Sequence, residues 1–270
     1  MASTLTLTLN PSVDRSACVN HITPDDKLRC FDEKLDPGGG GINVCRVINS
    51  LGGECEALFT CGGPMGEALR LLLDADKIRQ HIIPIKAWTR ENFVVLEQVS
   101  QKEFRFNMSG PKLQQDEYQA VLYAIERQPQ SLRYLVASGS LPEGVPVDFY
   151  RQLAERTKEQ NVRIVLDTSG IALKEALGSN ILLIKPNLRE LRALIGAPLD
   201  SEAEQEEAAY SLVREKKCEV AVLSMGASGA LVVSKDIRRR FRSPTVPMKS
   251  TVGAGDSMVA GIVYRLQQGD

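Results

Sequence analysis

Short apolar runs alternate along the chain with longer segments in which apolar residues recur every three or four positions. The short runs have the length of buried β-strands, and the longer segments have the periodicity of amphipathic helices. Strands that alternate with helices are typical of a parallel sheet covered by helices, so the pattern predicts an α/β fold. The predicted strands are 3–9, 57–60, 134–137, 162–166, 181–184, 220–223 and 230–233, and the predicted helices are 41–51, 66–75, 116–127, 147–160, 188–195, 201–216 and 255–267.

Two segments, 12–36 and 88–108, interrupt this alternation because neither has a convincing helical pattern. The second predicts a hairpin, with strands at 93–99 and 103–108 joined by a turn at 100–102. Together the two segments predict a small β-sheet that covers the main sheet as a lid.

Alternation along the returning strand of this hairpin puts Phe104, Phe106 and Met108 on one face and Arg105 on the other. A sheet this small is too thin to bury its own apolar face. Pairing with a second copy would cover that face, so we expect a homodimer formed through the lid.

Composition narrows the class of protein further. The chain has 270 residues, 43% of them hydrophobic, which is enough for one large domain over 1–270. Its 33 basic and 34 acidic residues give a net charge of −1, which does not favour nucleic acid or a membrane surface as the partner. No apolar stretch approaches the roughly 20 residues that span a bilayer, and no secretory signal is present, so we expect a cytoplasmic protein with a small-molecule partner. The six cysteines form no Cys-x-x-Cys pair and are expected to be free thiols.

Polar clusters follow five of the predicted strands. The clusters are 10–14, 138–140, 167–169, 185–187 and 224–226. Open α/β sheets bind ligands at the carboxyl ends of their strands, so these clusters predict one cleft along that edge.

Four successive glycines, residues 38–41, open the first predicted helix, and Asn43 follows in its first turn. Glycines allow a ligand to approach the backbone closely, and the Asn43 amide could bind hydroxyl groups. The run is not a dinucleotide fingerprint, because Asn43 stands where that pattern needs its third glycine, and the chain has no P-loop. A plain flexible turn is the alternative.

The last predicted helix begins with Gly253, Ala254, Gly255 and Asp256. A helix start offers unpaired N–H groups and positive dipole to an anion. The same dipole favours an ionised Asp256, which could act as a base for an attacking hydroxyl. The alternative is that Asp256 only caps the helix.

Asn187 and Glu190 stand three residues apart at the start of another predicted helix. One amide and one carboxylate, working partly through water, suit Mg²⁺ that also binds substrate phosphates. The same pair is also frequent on helices by chance.

Separated basic residues in the predicted lid segments point to an anionic ligand. They are Lys27, Arg29, Arg90 and Arg105, and Asp14 lies in the same segments. Each of them could instead be a solvated surface charge.

These motifs resemble those of the ribokinase-like, phosphofructokinase-B family of sugar kinases over the whole length of the chain. Residues 38–43 match the glycine signature of the family, Asn187 and Glu190 match its Asn-x-x-Glu motif, and 251–256 match its Gly-Ala-Gly-Asp signature. The resemblance implies a ribokinase-like three-layer α/β/α sandwich with a mostly parallel central sheet and a small β-sheet lid. It also implies ATP and Mg²⁺, with a monovalent cation such as K⁺ as a further candidate.

The resemblance implies a role for each matching residue. Asp256 is implied to be the general base, and Gly253, Ala254 and Gly255 to offer N–H groups to the developing charge. The implied sugar-binding residues are Asp14, Lys27, Arg29, Gly38, Gly39, Asn43, Arg90, Arg105, Ser138 and Gly139. The implied nucleotide-binding residues are Lys185, Asn187, Ser224, Gly226, Gly229, Thr251, Gly253 and Gly255, and Mg²⁺ is assigned to Asn187 and Glu190, largely through water.

Within the family, residues 27–30, Gly40 and 88–92 are most similar to the branch that phosphorylates fructose 6-phosphate at C1 to give fructose 1,6-bisphosphate and ADP. The 1-phosphofructokinase and tagatose-6-phosphate kinase branches more often carry lysine at the position of Gly40, and they are the nearer alternative. The family usually continues for some tens of residues after the Gly-Ala-Gly-Asp helix, so we expect its C-terminal helices to be absent from this chain. A weakly active or inactive ligand-binding relative is therefore the second alternative.

Overall fold

Two β-sheets organise the part of the chain that the computed structural model describes, residues 4–244 and 253–270. The strands are β1 (Thr4–Thr8), β2 (Ser12–Val19), β3 (Phe31–Gly38), β4 (Cys55–Cys61), β5 (Arg79–Pro84), β6 (Arg90–Glu97), β7 (Lys102–Phe106), β8 (Tyr134–Ser138), β9 (Arg163–Asp167), β10 (Ile181–Ile184), β11 (Val220–Ser224), β12 (Ala230–Val233) and β13 (Arg238–Phe241). The helices are α1 (Gly40–Ser50), α2 (Gly63–Ala75), α3 (Gln115–Glu126), α4 (Phe149–Thr157), α5 (Gly170–Ala176), α6 (Leu188–Ile195), α7 (Glu202–Arg214) and α8 (Ala254–Gln267). No helix among these residues combines the length and apolar character needed to span a membrane.

The larger sheet has nine strands in the order β13-β12-β11-β10-β9-β8-β1-β4-β5. Neighbours from β5 to β11 are parallel, and β12 and β13 are antiparallel. One apolar cluster joins this sheet to α3, α4, α5, α6 and α7, and the other joins it to α1, α2 and α8. The predicted three-layer α/β/α fold with a mostly parallel sheet is therefore confirmed.

Strand β1 lies inside this sheet, and both of its faces are buried. Its leucines join the cluster under α3–α7. Its threonines face the other layer, where the Thr8 hydroxyl accepts a hydrogen bond from the Ile42 N–H at 3.1 Å and the Thr4 hydroxyl accepts one from Gln267 at 2.6 Å. The strict alternation of β1 therefore reflects two different covering layers rather than a solvent face.

The smaller sheet has the order β3-β2-β6-β7 and confirms the predicted second sheet. Strands β2 and β6 are parallel, and β3 and β7 pair antiparallel with them at the edges. Phe104 and Phe106 share a face opposite to Arg105, as predicted, whereas Met108 lies beyond the end of β7.

Several elements differ from the prediction. Strand β5 and the seven-residue helix α5 were not predicted, and segment 12–36 was assigned to the smaller sheet without bounds for β2 and β3. Helix α4 begins two residues later than predicted, and its last predicted turn is a 3-10 helix at Lys158–Gln160. In β3 the first six residues are exposed, so the strand carries no alternation of apolar and polar positions.

Thr8 offers a direct test of how α1 is fixed to the sheet. Gly39 is the N-cap of α1 and has no side chain to cap it, so the Thr8 hydroxyl supplies an acceptor for the first turn. We expect Thr8→Val to lower the free energy of unfolding by about 1–3 kcal/mol, because the buried Ile42 N–H loses its partner. Denaturant unfolding measures this loss. Thr6→Val is the matched control, since the Thr6 hydroxyl makes only a 3.5 Å contact with the Glu56 carbonyl, and equal losses for both variants would contradict the interpretation.

Candidate active site

A cleft of about 310 Å³ lies at the carboxyl edge of the larger sheet. It is formed where β8 and β9 end and where α1, α6 and α8 begin. Its lining residues are Gly40, Ser138, Gly139, Ser140, Asp167, Thr168, Ser169, Glu190 and Asp256. Only two of the five strand-end clusters, 138–140 and 167–169, line this cleft. Members of the other three line two further clefts, so the prediction of one cleft is wrong.

Asp256 lies in the first turn of α8. The N-cap of this helix is Gly253, whose φ of 71° is the left-handed conformation that glycine adopts readily. Instead of capping its own helix, the Asp256 carboxylate accepts a hydrogen bond from the Asn43 amide at 2.8 Å. Burial raises the pKa of Asp256, while the hydrogen bond from Asn43 and the charge of Lys185 lower it. The arrangement gives a part-buried base at the start of a helix.

Lys185 brings a buried positive charge to the same place. It is 7% exposed, and its ammonium lies 3.2 Å from an oxygen of Asp167. A Cβ built on Gly255 would lie 3.3 Å from the Lys185 Nζ, so the ammonium is next to the start of α8. The unpaired N–H groups of that turn and this ammonium together favour an anion.

Asp167 was not assigned from the sequence, although its cluster was recognised. Burial raises the pKa of Asp167 to about 6. The Lys185 ammonium lowers this pKa, and the carboxylates of Asp256 and Glu190 raise it. Its position at the end of β9, just before Thr168, is the sequence signal that could have identified it.

The glycine run leaves room for the side chains of Ser138, Asp256 and Asp14. A Cβ on Gly40 would lie 2.1 Å from the Ser138 hydroxyl and 3.2 Å from Asp256. A Cβ on Gly38 would lie 2.5 Å from Oδ2 of Asp14. A side chain at either position would therefore displace groups that line the clefts.

Two other predicted glycines have backbone conformations that side chains rarely adopt. Gly39 has φ 121° and Gly139 has φ 108°. Gly139 also ties two strand ends together, because its N–H donates to the Asp167 carbonyl at 3.0 Å and its carbonyl accepts from the Thr168 hydroxyl at 2.9 Å.

A second cleft of about 770 Å³ lies between the smaller sheet, α1 and the start of α8. It is called the larger cleft because it is larger than the adjoining cleft around Asp256. It contains two predicted sugar-binding residues, Asp14 and Asn43. Its other lining residues are Ser16, Asp36, Pro37, Arg46, Val47, Asn49, Ser50, Asp76, Ile78, Val94, Glu103, Gly253 and Ser257. Asn43 faces this cleft and also binds Asp256, so the two clefts adjoin.

Arg90 is half-buried near the base of the smaller sheet. Its guanidinium donates to the Asn10 carbonyl at 3.0 Å and to the Met108 carbonyl at 3.1 Å. Burial lowers the pKa of Arg90, while the Asp14 carboxylate raises it. The buried Nε has no partner among the described residues.

The other predicted basic residues do not line these two clefts. Lys27 and Arg29 are exposed on the loop between β2 and β3. Arg105 is exposed and forms an ion pair with Glu103, although Val94, its partner across the strands, lines the larger cleft.

A third cleft of about 840 Å³ lies at the ends of β10 and β11. Asn187, Ser224 and Gly226 are the predicted nucleotide-binding residues within it. Gly229 lies nearby, where a Cβ would be 1.9 Å from the Phe241 carbonyl, so glycine is needed there for β12 and β13 to pair. Thr251 lies outside the described residues.

Asn187 and Glu190 form a reciprocal cap at the start of α6. The Asn187 side chain accepts from the Glu190 N–H at 2.9 Å, and one oxygen of Glu190 accepts from the Asn187 N–H at 2.8 Å. Within the described residues no group of three or more His, Cys, Asp or Glu side chains could hold a metal alone. These oxygen donors therefore fit Mg²⁺ that takes its remaining ligands from phosphate and water.

Comparison with known proteins places the chain among sugar kinases. The pfkB family of carbohydrate kinases matches residues 7–270. The ATP-dependent 6-phosphofructokinase isozyme 2 of Mycobacterium tuberculosis is 41% identical over 265 residues, covering 98% of this chain and 78% of that protein. The protein of the same name from Escherichia coli is 39% identical over 269 residues, covering 99% and 87%. A 1-phosphofructokinase of Borreliella burgdorferi is 34% identical over 265 residues, covering 98% and 85%.

Solved structures of the Escherichia coli phosphofructokinase-2 have the same fold. Its complex with fructose 6-phosphate superposes with a TM-score of 0.93 at 38% identity, covering all of this chain and 88% of that one. The same protein was solved with potassium, with a TM-score of 0.93 at 38% identity, covering 100% and 87%. Its tetrameric inhibited form gives 0.94 at 39% identity, covering 100% and 88%.

The raised pKa values predict an acid limit to turnover of sugar with ATP. A raised pKa means that a carboxyl is ionised only at higher pH, so activity should fall as the pH is lowered through about 6. Protonated Asp167 no longer holds Lys185, and protonated Asp256 accepts no proton. We expect Asp167→Asn to lower turnover at neutral pH, because an amide has no charge to hold Lys185, and to shift the fall to lower pH, because the group with a pKa of about 6 is gone.

The test is to measure turnover against pH for the unmodified chain and for Asp167→Asn with the same substrate. Ionisation of the substrate then affects both profiles equally. Asp116→Asn, at an exposed position on α3, is the matched control. Superimposable acid limbs for the chain and Asp167→Asn would contradict the assignment.

Proposed function

Because the chain belongs to the pfkB family of carbohydrate kinases, we propose that it transfers the γ-phosphoryl group of ATP to the C1 hydroxyl of fructose 6-phosphate. The products are fructose 1,6-bisphosphate and ADP. The observation that carries this proposal is the position of Asp256, a part-buried carboxylate at the start of α8, bound to Asn43 and close to Lys185. The relatives named 6-phosphofructokinase isozyme 2, at 39% and 41% identity, favour this substrate.

Asp256 acts as the general base. It accepts the proton of the C1 hydroxyl while the oxygen forms a bond to the γ-phosphorus and the bond to the leaving ADP oxygen breaks. Burial supports this role, because a raised pKa makes the carboxylate a better proton acceptor.

Negative charge that develops on the transferred group is stabilised by two features at the start of α8. The backbone N–H groups of Ala254 and Gly255 have no partner within the helix. The Lys185 ammonium lies beside the same turn. Both are fixed before the reaction, which is the arrangement that lowers a barrier by electrostatics.

The sugar lies in the larger cleft, with its hydroxyls held by Asp14, Asn43 and the backbone of Gly38 and Gly39. Ser138 and Gly139 close this pocket toward Asp256. We assign positive charge for the sugar phosphate to Arg90, Lys27, Arg29 and Arg105, although none of them is among the residues that line this cleft.

The nucleotide occupies the cleft at the ends of β10 and β11. Asn187, Ser224, Gly226 and Gly229 hold it there, with Lys185 at its phosphates. Mg²⁺, held by Glu190 and Asn187 through water, would neutralise phosphate charge. K⁺ is a further candidate, because the related Escherichia coli protein was solved with potassium.

The functional unit is a homodimer formed through the smaller sheet. Leu35, Arg15, Phe93 and Phe106 form one row across this sheet, and Leu35 and Phe106 are 38% and 50% exposed. A second copy would cover these apolar side chains. Light scattering measures the mass in solution, and a monomer would contradict this arrangement. We place the protein in the cytoplasm, where its six free thiols would stay reduced.

We expect Asp256→Asn to lower kcat by about 10² to 10⁴ and to leave both KM values within about threefold, because the amide keeps the size of the side chain and accepts no proton. Steady-state kinetics with fructose 6-phosphate and ATP measure this change. Asp236→Asn, at an exposed position in the turn between β12 and β13, is the control. Near-normal turnover by Asp256→Asn would remove Asp256 from the mechanism.

A comparison of three acceptors tests the substrate. We expect kcat/KM, measured by ADP release, to be highest for fructose 6-phosphate, lower for fructose 1-phosphate and lower for tagatose 6-phosphate. A preference for fructose 1-phosphate would favour the alternative suggested by the 1-phosphofructokinase relative at 34% identity. Sugar binding by calorimetry without any ADP release would identify a ligand-binding relative instead.

A further inference from the structure

Asn92 is the third residue of β6, and its side chain is buried. It is 7% exposed, and the strand register places it opposite Asp14 on β2. It lies in the segment 88–92 that carries the family resemblance, but no role was assigned to it from the sequence, and it is not among the residues that line the clefts described above.

Every polar group of the Asn92 side chain has a partner. Its Nδ2 donates to the Ser12 hydroxyl at 3.1 Å and to Oδ1 of Asp14 at 2.9 Å. Its Oδ1 accepts from the Met108 N–H at 3.1 Å. A buried amide with all of its partners fixes the orientation of the groups that it binds.

These contacts decide which oxygen of Asp14 is available. Oδ1 accepts both from Asn92 and from the Ser12 hydroxyl, the latter at 2.7 Å. The other oxygen, Oδ2, is directed toward Gly38, where the missing side chain leaves space beside the glycine run. Asp14 lines the larger cleft. Its Oδ1 accepts these two hydrogen bonds, and its Oδ2 takes part in neither of them.

The same amide is linked to Arg90. The backbone of Met108, whose N–H donates to Asn92, also accepts a hydrogen bond from Arg90 at its carbonyl, at 3.1 Å. Arg90 in turn donates to the Asn10 carbonyl, just beyond the end of β1, at 3.0 Å. Asn92 is thus linked to the Asp14 carboxylate directly and to the Arg90 guanidinium through the backbone of Met108.

We propose that Asn92 is a positioning residue for the sugar phosphate, which holds Asp14 for a sugar hydroxyl and, through the backbone of Met108, holds Arg90 for the phosphate. This inference rests on the proposed function, since it takes Asp14 and Arg90 as sugar ligands. Only an amide serves here, because a carboxylate would donate nothing and would face Asp14 with like charge. An aliphatic side chain would leave the Met108 N–H without this partner and would remove one hydrogen-bond donor from both Ser12 and Asp14.

A double-mutant cycle tests the inference. We expect Asn92→Ala to raise KM for fructose 6-phosphate about tenfold, the scale of one lost hydrogen bond to a charged group, with KM for ATP and kcat changed less than about twofold. In the Asp14→Ala background the same substitution should have a smaller effect, because the part that acts through Asp14 is gone and only the part that acts through Arg90 remains. Asn20→Ala, at an exposed asparagine beyond the end of β2, is the matched control.

Each result separates this inference from the proposed function. If Asp14→Ala leaves KM for fructose 6-phosphate unchanged, the sugar assignment of Asp14 fails. If Asp14→Ala raises this KM while Asn92→Ala has no effect, or has the same fold effect in both backgrounds, only the role of Asn92 is overturned.

The swapped variant Asp14→Asn with Asn92→Asp covers the case in which Asn92→Ala does not fold. It restores an amide–carboxylate pair across β2 and β6, so we expect a thermal midpoint close to that of the unmodified chain. It moves the carboxylate away from the cleft, so KM for fructose 6-phosphate should stay raised. Recovery of both the midpoint and this KM would overturn the inference.

Discussion

The hydrogen bond from Asn43 to Asp256 joins the first turns of α1 and α8, which are 213 residues apart in the chain. Both helices are fixed to β1 on the same face, α1 through the Thr8 hydroxyl and α8 through the Thr4 hydroxyl. Strand β1 is therefore the common reference that brings two helix starts to one edge of the sheet. Lys185, Asp167 and the glycine run lie around these two helix starts. A helix start is where unpaired N–H groups and glycines allow an anion to approach closely.

The site collects more negative than positive charge. Asp167, Glu190 and Asp256 line one cleft, and Lys185 is the buried cation that faces them. A pKa raised from 3.8 to about 6 makes the ionised Asp167 about 3 kcal/mol less favourable in the folded chain than in water. This carboxyl thus contributes stability below about pH 4 and loses that contribution as the pH rises through about 6. The imbalance favours a ligand that arrives with a divalent cation.

Features encoded in one stretch of sequence could be predicted, and features that depend on distant partners could not. Helix α6 has the predicted ends, since Asn187 caps its start and Gly196 stops it with φ 76°. Strand β3 could not be predicted, because its exposed residues show no period. The sequence pointed to Asp256 through its glycine-rich helix start, but the properties of Asp167 depend on Lys185 on a neighbouring strand. The position of Asn92 opposite Asp14 likewise appears only when β2 and β6 pair.

The docking of α8 onto the N-terminal part of the fold also sets an order of events in synthesis. A chain emerging from the ribosome can form β1, β4 and α1 early, yet the apolar face of α1 around Ile48 is completed only when Val263 packs into the same cluster. Closing a loop of this length is slow, and until it closes the apolar face stays accessible to other nascent chains. The same long-range contact that joins Asn43 to Asp256 therefore forms only after α8 has been made, and it covers the apolar face of α1 at the same time.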